Sequence, residues 1–401
     1  MFSTNEKPSA RRVLVSGASI AGLTTAYWLT RHGFEVTVVE VAPRLRPGGH
    51  AIDVRGPALA VAERMGLDAV LRERGTNLTG IAVVDPAGRE VFRSTEGTLT
   101  GGQLDSSDIE IMRDDLCEVL YGAVRDEAEF LFGDTITSLT QDDTGVDVTF
   151  ATAAPRRFDV VVGADGVGSG VRRLAFGPDE RFLHVMGENL VAVFSMPNFL
   201  GLERWQILCQ QEEPAIGALV MGLRKDVPAR AYVGFDTEDR VEYDPRNVAG
   251  QKRVVAERLA AGGWVIPEIV RHMMDAPDFH LYRLTQVRVD RWSRGRVVLA
   301  GDAGYAVSLG TGQATSVAMV GAYVLAGELA AHRDDPAAGA AAYEDELREY
   351  VTRNQDVAVE QESMRRSVLV GEDDAGGGLP DFGTLTLPFS LKDYGQRVPT
   401  A

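Results

Sequence analysis

The sequence predicts an α/β protein in which a domain built on a parallel sheet is interrupted by a second domain with an antiparallel sheet. A strand, a helix and a second strand follow one another between Val13 and Glu40, as in a βαβ unit. Short alternating strand patterns dominate from about residue 182 to residue 288, and a buried-strand pattern returns at residues 296–302. The first domain is therefore predicted to be discontinuous, with the second inserted into it.

The composition limits the classes of partner. The 401 residues include 41 Lys and Arg against 58 Asp and Glu, a formal net charge of −17. A surface of that sign repels nucleic-acid phosphates and anionic lipids, so we expect neither as a partner. Cys117 and Cys209 lie far apart and the histidines lack ligand spacing, so we expect no metal site. Without a signal-peptide pattern or a long apolar run, a cytoplasmic location without membrane insertion is expected. No particular oligomeric state is indicated.

A glycine-rich turn joins the first strand to the first helix. The strand at residues 13–15 leads into Gly17-Ala18-Ser19-Ile20-Ala21-Gly22, and apolar residues then recur at helical spacing. In a dinucleotide-binding unit the first glycine permits the tight turn, the last lets the helix pack closely, and the helix N-terminus binds the pyrophosphate. Ser19 replaces the middle glycine, and its Cβ narrows the space through which the pyrophosphate approaches the turn. Glu40 is placed to accept a hydrogen bond from the adenosine ribose. The alternative is a βα turn that only packs.

Two further strand patterns end in glycine-rich turns that carry an acid. Residues 159–163 lead to Asp165 within Gly163-Ala164-Asp165-Gly166, and residues 296–300 lead to Asp302. Gly310 and Gly312 then open the next helix, where backbone N–H groups are free. The carboxyl ends of parallel strands are where open α/β sheets bind ligands. Each turn alone is compatible with a simple tight turn, but three in one chain are not expected by chance.

The ordered motifs GASIAG, GADG and GRVVLAGDA resemble those of the FAD-dependent aromatic hydroxylases typified by para-hydroxybenzoate hydroxylase, which include the tetracycline-inactivating monooxygenases. The resemblance extends to about residue 370. It implies an α/β fold with a Rossmann-like FAD-binding domain, an inserted antiparallel-sheet substrate domain and C-terminal helices. The expected division is an FAD-binding domain at residues 10–80, 100–181 and 283–335, a substrate domain at 81–99 and 182–282, a C-terminal helix at 336–370 and a tail at 371–401.

The resemblance also implies which residues contact the cofactor. Glu40 is implied at the adenosine ribose, Arg113 at the ribityl–phosphate region and Asp302 at a ribityl hydroxyl. The motif of Asp165 is linked to both FAD and NAD(P)H binding. The loop Arg46-Pro47-Gly48-Gly49-His50 matches the region that lines the isoalloxazine. The complete predicted set is Gly17, Ser19, Ile20, Ala21, Gly22, Glu40, Arg46, Gly49, His50, Arg113, Asp165 and Asp302, with Gly310 and Gly312 against the pyrimidine side of the flavin.

The implied activity is that of a monooxygenase. NADPH or NADH reduces the flavin, O2 adds at its C4a carbon, and the hydroperoxide delivers oxygen to an aromatic or polyketide-like small molecule. Such an adduct survives only where water is excluded, which a second domain over the flavin provides. Hydroxylation is preferred over Baeyer–Villiger insertion or epoxidation. The alternatives are a flavin reductase or halogenase of the same fold, and a flavin-binding protein without turnover.

Some features depart from the family pattern. Family members often have Gly-Asp-Ala-Ala-His followed by prolines, whereas Asp302 is followed here by Ala303-Gly304-Tyr305 and later by Ser308-Leu309. Because the proline turn is missing, the resemblance does not imply the mobility of the flavin or the lining of the oxygen pocket. Gly263-Trp264-Val265-Ile266-Pro267 overlaps a halogenase signature, but Gly262 occupies the position of its first tryptophan, so we interpret it as a helix-end turn.

No residue is assigned a catalytic role. His50 and Arg55 are candidates to polarise a phenol or carbonyl of the substrate, although solvated loop residues are the more common case. The apolar and aromatic side chains of the second domain are at strand spacing, which is more typical of a core than of a pocket. They are Phe194, Trp205, Leu219, Met221, Tyr232 and Phe235.

Overall fold

Two large sheets organise the chain. The computed structural model describes residues 11–237, 241–244, 247–308, 312–369 and 387–395. One sheet has six strands and is mainly parallel, and the other has seven strands and is mainly antiparallel. The arrangement agrees with the predicted fold class. Gly310 lies outside the described residues. The run Ala375-Gly376-Gly377-Gly378 predicts a flexible joint before the tail, and it also lies outside them.

The six-stranded sheet contains the predicted βαβ unit. Its order is β19-β20-β13-β1-β2-β9, and only β19 runs antiparallel to its neighbour. The valine-rich runs form its centre because both faces are covered and β-branched side chains pack well there. The predicted strand at 159–163 begins one residue later. The strands are β1 (Arg12–Ser16), β2 (Glu35–Glu40), β9 (Glu129–Phe132), β13 (Val160–Gly163), β19 (Ser293–Arg294) and β20 (Val297–Leu299).

Helices cover this sheet. The helix α1 (Ile20–Arg31) packs against α9 (Ala314–Ala331) and α4 (Arg113–Val124), and α10 (Pro336–Leu369) packs against α9. By length and composition α9 could cross a membrane, but 83% of it is buried inside the protein. An all-round apolar helix of this kind is typical of a protein core.

The seven-stranded sheet has the order β18-β14-β17-β16-β15-β4-β5, and only the β4–β15 pair is parallel. On one face, α6 (Val248–Arg258) and α7 (Ile266–Asp275) cover a core that includes Phe194 and Phe235, which are core residues as predicted. The opposite face carries Met221 and Tyr232. The strands are β4 (Ile81–Val84), β5 (Glu90–Ser94), β14 (Leu183–Met196), β15 (Trp205–Gln211), β16 (Ile216–Gly222), β17 (Ala229–Phe235) and β18 (His280–Val287).

Two short ribbons lie beside that opposite face. In one, β3 (Ala51–Val54) pairs antiparallel with β8 (Ile109–Met112), and in the other β6 (Gly97–Thr98) pairs with β7 (Gly102–Gln103). The helical spacing of apolar residues predicts a helix at residues 111–124, but its start is wrong, because Ile109 and Ile111 alternate as buried residues of β8 and the helix begins at Arg113. A helical stretch is likewise predicted at residues 248–261, and the observed helix ends at residue 258.

The remaining elements connect or cap the two sheets. A three-stranded antiparallel sheet follows β9, and short helices follow β3, β13 and β20. They are α2 (Pro57–Arg64), α3 (Asp68–Arg74), β10 (Ile136–Gln141), β11 (Val146–Phe150), β12 (Arg156–Phe158), α5 (Gly170–Ala175), a 3-10 turn (Asp179–Arg181) and α8 (Asp302–Tyr305).

Candidate functional site

The turn between β1 and α1 requires both of its terminal glycines. Gly17 has φ +106°, and a Cβ there would lie 2.4 Å from the carbonyl oxygen of Ala164. A Cβ on Gly22 would lie 1.8 Å from the carbonyl oxygen of Gly17. Ser19 is the N-cap of α1 but makes no side-chain capping hydrogen bond. The N-terminus of α1 therefore keeps backbone donors that its own cap does not use.

Glu40 ends β2 beside this turn, with its carboxylate fixed by two backbone groups. Oε2 accepts a hydrogen bond from the N–H of Ala18 and Oε1 from that of Ala42, each at 2.9 Å. Arg46 Nη2 lies 3.5 Å from Oε1. A carboxylate has about four acceptor sites, so Glu40 keeps acceptor sites for the hydroxyls of the adenosine ribose that the sequence predicts there.

Arg113 connects the turn to the loop at residues 46–50. As the first residue of α4, it donates from Nη2 to the carbonyl oxygens of Arg46 at 3.0 Å and Gly48 at 3.3 Å. Its Nη1 donates to Ser19 Oγ at 3.3 Å. Gly49 has φ +113°, and a Cβ there would lie 2.6 Å from Arg113 Nε. Glycine is therefore required at position 49 for both conformation and space.

The same loop is also held by the seven-stranded sheet. The N–H of Gly48 donates to Asp114 Oδ2 at 2.7 Å, and a Cβ on Gly48 would lie 2.6 Å from Asp278 Oδ2. Asp278 accepts from the N–H of Ser195 at 3.0 Å and from Arg230 Nη1 at 2.6 Å. Burial raises the pKa of Asp278, but the Ser195 hydrogen bonds and the Arg230 charge outweigh it, and the net shift is downward. Asp278 is thus an ionised anchor beside the loop.

His50 ends the loop and is neutral. Burial first, and then the Arg113 charge, lower the pKa of His50 to about 4. Its ring meets Tyr282 edge to face at 5.3 Å, and its buried Nδ1 has no hydrogen-bond partner in the described part of the chain. Such an atom can bind a polar group of a ligand.

Arg55 is 2% exposed, so the interpretation of a solvated loop residue is wrong for it. It follows β3, and its Nη2 lies 3.1 Å from Asp53 Oδ2 and donates to the carbonyl oxygen of Gly101 at 2.9 Å. A guanidinium this deeply buried is kept because a carboxylate and a carbonyl satisfy it.

Asp165 is engaged within its own turn. Its Oδ2 accepts from the N–H groups of Gly170 at 2.8 Å and Val171 at 3.1 Å, and its Oδ1 accepts from the Ser169 hydroxyl. These contacts cap α5. The turn nevertheless packs against the first one, since a Cβ on Gly17 would lie 3.0 Å from Asp165 Cα.

Asp302 begins α8 and lacks a donor. Burial alone raises its pKa to about 6, and no described residue donates a hydrogen bond to its carboxyl. The preceding Gly301 has φ +58°, and a Cβ there would lie 2.6 Å from the Cβ of Ala21. Asp302 therefore lies directly beside the first turn of α1. A desolvated carboxyl without a donor fits a ligand hydroxyl, as the predicted ribityl contact requires.

Gly312 precedes α9 and packs on the β3–β8 ribbon. It has φ +65°, and a Cβ there would lie 2.9 Å from Asp53 Oδ2. Asp53, Glu110, Arg230 and Asp278 were not found by sequence reasoning. Their partners are distant in sequence, and they belong to no linear motif. An acid within the apolar run at residues 51–54 was the only signal for Asp53.

The strand order explains how these residues meet. Glu40, the Gly17 turn, the Asp165 turn and Asp302 follow β2, β1, β13 and β20, which are consecutive neighbours in the six-stranded sheet. Their carboxyl ends therefore form one continuous edge, and Arg113 joins that edge to the loop beside the second sheet. An elongated ligand with a pyrophosphate, a ribose and a polyol fits this sequence of groups.

Comparison with known proteins identifies relatives. The sequence model described as FAD binding domain matches residues 10–359. A flavin-dependent monooxygenase from an unknown prokaryotic organism is 38% identical over 349 residues, covering 87% of this chain and 88% of that protein. An uncharacterized protein of Mycobacterium tuberculosis is 47% identical over 389 residues, covering 96% of this chain and all of that protein. The crystal structure of the tetracycline destructase Tet(55) has a TM-score of 0.79 and 34% identity, covering 91% of this chain and 96% of that one.

Proposed function

We propose that this chain, which belongs to the FAD binding domain family of flavin-dependent monooxygenases, hydroxylates an aromatic or polyketide-like small molecule with NADPH or NADH and O2. Membership of this family confirms the resemblance and the fold class. When bound, FAD supplies the redox chemistry, taking electrons from the nicotinamide and passing them to O2. The protein residues bind FAD, orient it and keep water from its reactive end. Location in the cytoplasm is part of the proposal.

The observation that carries this proposal is the position of the loop at residues 46–50. Gly48 is held on one side by Asp114 of α4 and packs on the other against Asp278, which is bonded to Ser195 of the seven-stranded sheet. This loop thus links the seven-stranded sheet to the edge at the carboxyl ends of β2, β1, β13 and β20, which we call the cofactor edge. A reactive flavin placed at this junction lies between two folded layers, and water is excluded from such a site.

The face of the seven-stranded sheet that meets this junction suits an apolar substrate. Met221 packs with Ala51 and Met112, and Tyr232 Oη accepts a hydrogen bond from the N–H of Ala51 at 2.7 Å. We propose that the substrate is bound mainly by this part of the chain, at residues 81–99 and 182–282. The FAD-binding domain then comprises the ranges given by the resemblance, followed by the C-terminal helix and tail.

The alternative of a halogenase has less support. Trp264 lies between α6 and α7 and packs on the core at the helix-covered face of the seven-stranded sheet. The loop at residues 46–50 contacts the other face, where Ser195 and Tyr232 lie. The tryptophan of the partial halogenase signature is thus separated from the proposed reaction site by the sheet.

The decisive experiment uses the purified FAD-loaded protein. NADPH and NADH oxidation is followed in air with a panel of phenols and tetracycline-like polyketides, and products are analysed by mass spectrometry with ¹⁸O-labelled O2. We expect oxidation to be stimulated by a substrate whose product gains one labelled oxygen atom. A flavin that neither nicotinamide reduces would instead identify a binding protein. A hydrogenated product without labelled oxygen would identify a reductase, and a halide-dependent halogenated product a halogenase.

A further inference from the structure

Two acidic side chains face each other in the ribbon of β3 and β8. Asp53 and Glu110 are directly opposite in the antiparallel register. Opposite residues project to the same face, with Cβ atoms about 4.5–5.5 Å apart. Asp53 Oδ1 and Glu110 Oε1 are both buried and accept no hydrogen bond from a described residue. Two buried carboxyl oxygens without donors thus lie on the same face of a two-stranded ribbon.

The other oxygen of each acid is satisfied. Asp53 Oδ2 is 3.1 Å from Arg55 Nη2, and Glu110 Oε2 accepts from the Thr76 hydroxyl. The Thr100 hydroxyl also bonds to Glu110. Each carboxyl is therefore held in place from one side, while its second oxygen is directed to a region with no donor. One proton held by the two acids would remove one of the two buried negative charges.

The charges around the pair do not balance without that proton. A third acid, Asp108, directly precedes β8, and its Oδ2 lies 3.5 Å from Arg55 Nε. The positive charge of Arg55 lowers the pKa of both Asp53 and Glu110. Two other elements pack against the pair and contribute uncharged groups. They are β17, with the neutral phenol of Tyr232, and α9, with the hydroxyl of Ser316. Among the described residues, one guanidinium thus faces three carboxyls, and one shared proton leaves a single net negative charge.

Burial favours the protonated form of each acid. Burial raises the pKa of Asp53 well above its ordinary value, the Arg55 charge opposes the rise and the Glu110 charge adds to it. Burial also raises the pKa of Glu110, against hydrogen bonds from Thr100 and Thr76. Two neighbouring carboxylates in a desolvated place cannot both ionise cheaply, so the first ionisation raises the cost of the second.

We propose that Asp53 and Glu110 share one proton at neutral pH and act as a positioning pair for the segment that enters α9 at the flavin. A Cβ on Gly312 would lie 2.9 Å from Asp53 Oδ2. Ser316 Oγ accepts from the N–H of Arg55 at 2.9 Å and donates to the carbonyl oxygen of Asp53 at 3.3 Å. Asp53 thus contacts Gly312 through its side chain and Ser316 through its backbone, and Glu110 acts on this segment through Asp53. Loss of the proton places a second buried anion beneath this segment and weakens FAD binding.

The proton itself is detected in the FAD-free protein by infrared spectroscopy. Wild type is compared with Glu110→Gln, Asp53→Asn and a control, Asp345→Asn, at an exposed position of α10. We expect wild type and control to show the carbonyl band of a protonated carboxylic acid at pH 7.5, sensitive to D2O. Each ribbon variant should lose the band or lower the pH at which it disappears, because the like charge is gone. A wild type without the band, or a band that neither ribbon variant alters, would overturn the shared proton.

The positioning role is tested separately by FAD titration across pH. The wild-type dissociation constant should rise, about tenfold per pH unit, above the pH at which the infrared band disappears. Glu110→Gln keeps an oxygen for the Thr76 hydroxyl and cannot ionise, so its dissociation constant should stay level over the same range. Parallel pH profiles in wild type and Glu110→Gln, with the infrared band present, would reject positioning while leaving the proton in place. Asp53→Asn provides the same comparison if Glu110→Gln does not fold.

Discussion

Arg113 Nη1 donates a hydrogen bond to Ser19 Oγ over 3.3 Å, which joins the first residue of α4 to the N-cap of α1. The middle glycine of a dinucleotide-binding turn has no side chain to accept such a bond. Ser19 therefore has a structural role in this chain, because it fixes one end of the guanidinium whose other end holds the carbonyl oxygen of Arg46 at 3.0 Å. The departure from the glycine fingerprint is thus accompanied by a contact that organises the loop at residues 46–50, which is predicted to line the flavin.

Replacing Arg113 by Ala should weaken FAD binding more than it weakens folding. The change removes charge-assisted bonds worth about 1.5–3 kcal/mol each, so we expect the FAD dissociation constant to rise about tenfold to a hundredfold. The matched control is Arg125→Ala, at the other end of α4, where the side chain is exposed and lies 3.6 Å from Asp126. Fluorescence titration of the FAD-free proteins measures both constants. Equal constants for the two variants would remove Arg113 from the cofactor site.

Glu40→Gln should lower FAD affinity by disturbing both the turn and the ribose contact. The carboxylate accepts the N–H groups of Ala18 and Ala42 through different oxygens. An amide offers only one acceptor oxygen, so its NH2 group must face one of those donors. Loss of one charge-assisted bond costs about 1.5–3 kcal/mol, and the FAD dissociation constant should rise by the corresponding factor. Glu35→Gln, at the exposed start of β2, is the control, and an FAD titration that matches it would contradict the assignment.

Gly49→Ala should separate backbone strain from a steric effect on Arg113. Gly66 also has a positive φ, +72°, but an added Cβ there meets nothing within 4 Å. Gly66→Ala should therefore cost only the left-handed conformation, about 1–2 kcal/mol of stability. A methyl at position 49 would lie 2.6 Å from Arg113 Nε and must displace the guanidinium. We expect Gly49→Ala alone to reduce the FAD bound per protein. If both variants retain equal FAD, the close packing of Gly49 on Arg113 has no functional consequence.

Local signals in the sequence were sufficient for the cofactor edge. The valine-rich runs, the glycine turns and the terminal acids each lie within a few residues of one another, and parallel pairing brings their carboxyl ends together. The sequence predicts a helix over residues 314–331, in agreement with α9 (Ala314–Ala331), because its run of apolar residues is long and almost continuous. The fold class followed from these patterns.

The local sequence pattern did not predict contacts between residues that are distant in sequence. Ile111 and Met112 were assigned to the start of the helix at residues 111–124, because so short an apolar run is compatible with either period. Their strand is defined by pairing with residues 51–54, more than fifty positions earlier. The Asp53–Glu110 register and the Asp278–Arg230 ion pair at 2.6 Å are set by tertiary contacts, and no local pattern predicts which of these four residues meet.

Asp302→Asn should make the FAD-free protein more stable at pH 7.5 while weakening its hold on FAD. Burial raises the pKa of Asp302 from its ordinary 3.8 to about 6 in the folded protein. The folded state therefore binds more protons than the unfolded chain between these values, so the free energy of unfolding falls as pH rises through that window and stays lower above it. Asparagine has no charge to desolvate, and the advantage of the variant should vanish as pH falls towards 3.8. Urea unfolding at several pH values measures this difference, with Asp345→Asn as the exposed control.

The same variant should release FAD more readily during purification. An asparagine oxygen accepts a weaker hydrogen bond from a hydroxyl than a carboxylate does, since the charge-assisted bond is lost. Stability gained at the expense of ligand binding is what a desolvated carboxyl kept for a cofactor should show. A variant that is less stable than wild type at pH 7.5, or that remains as yellow as wild type, would contradict the placement of Asp302 at the cofactor.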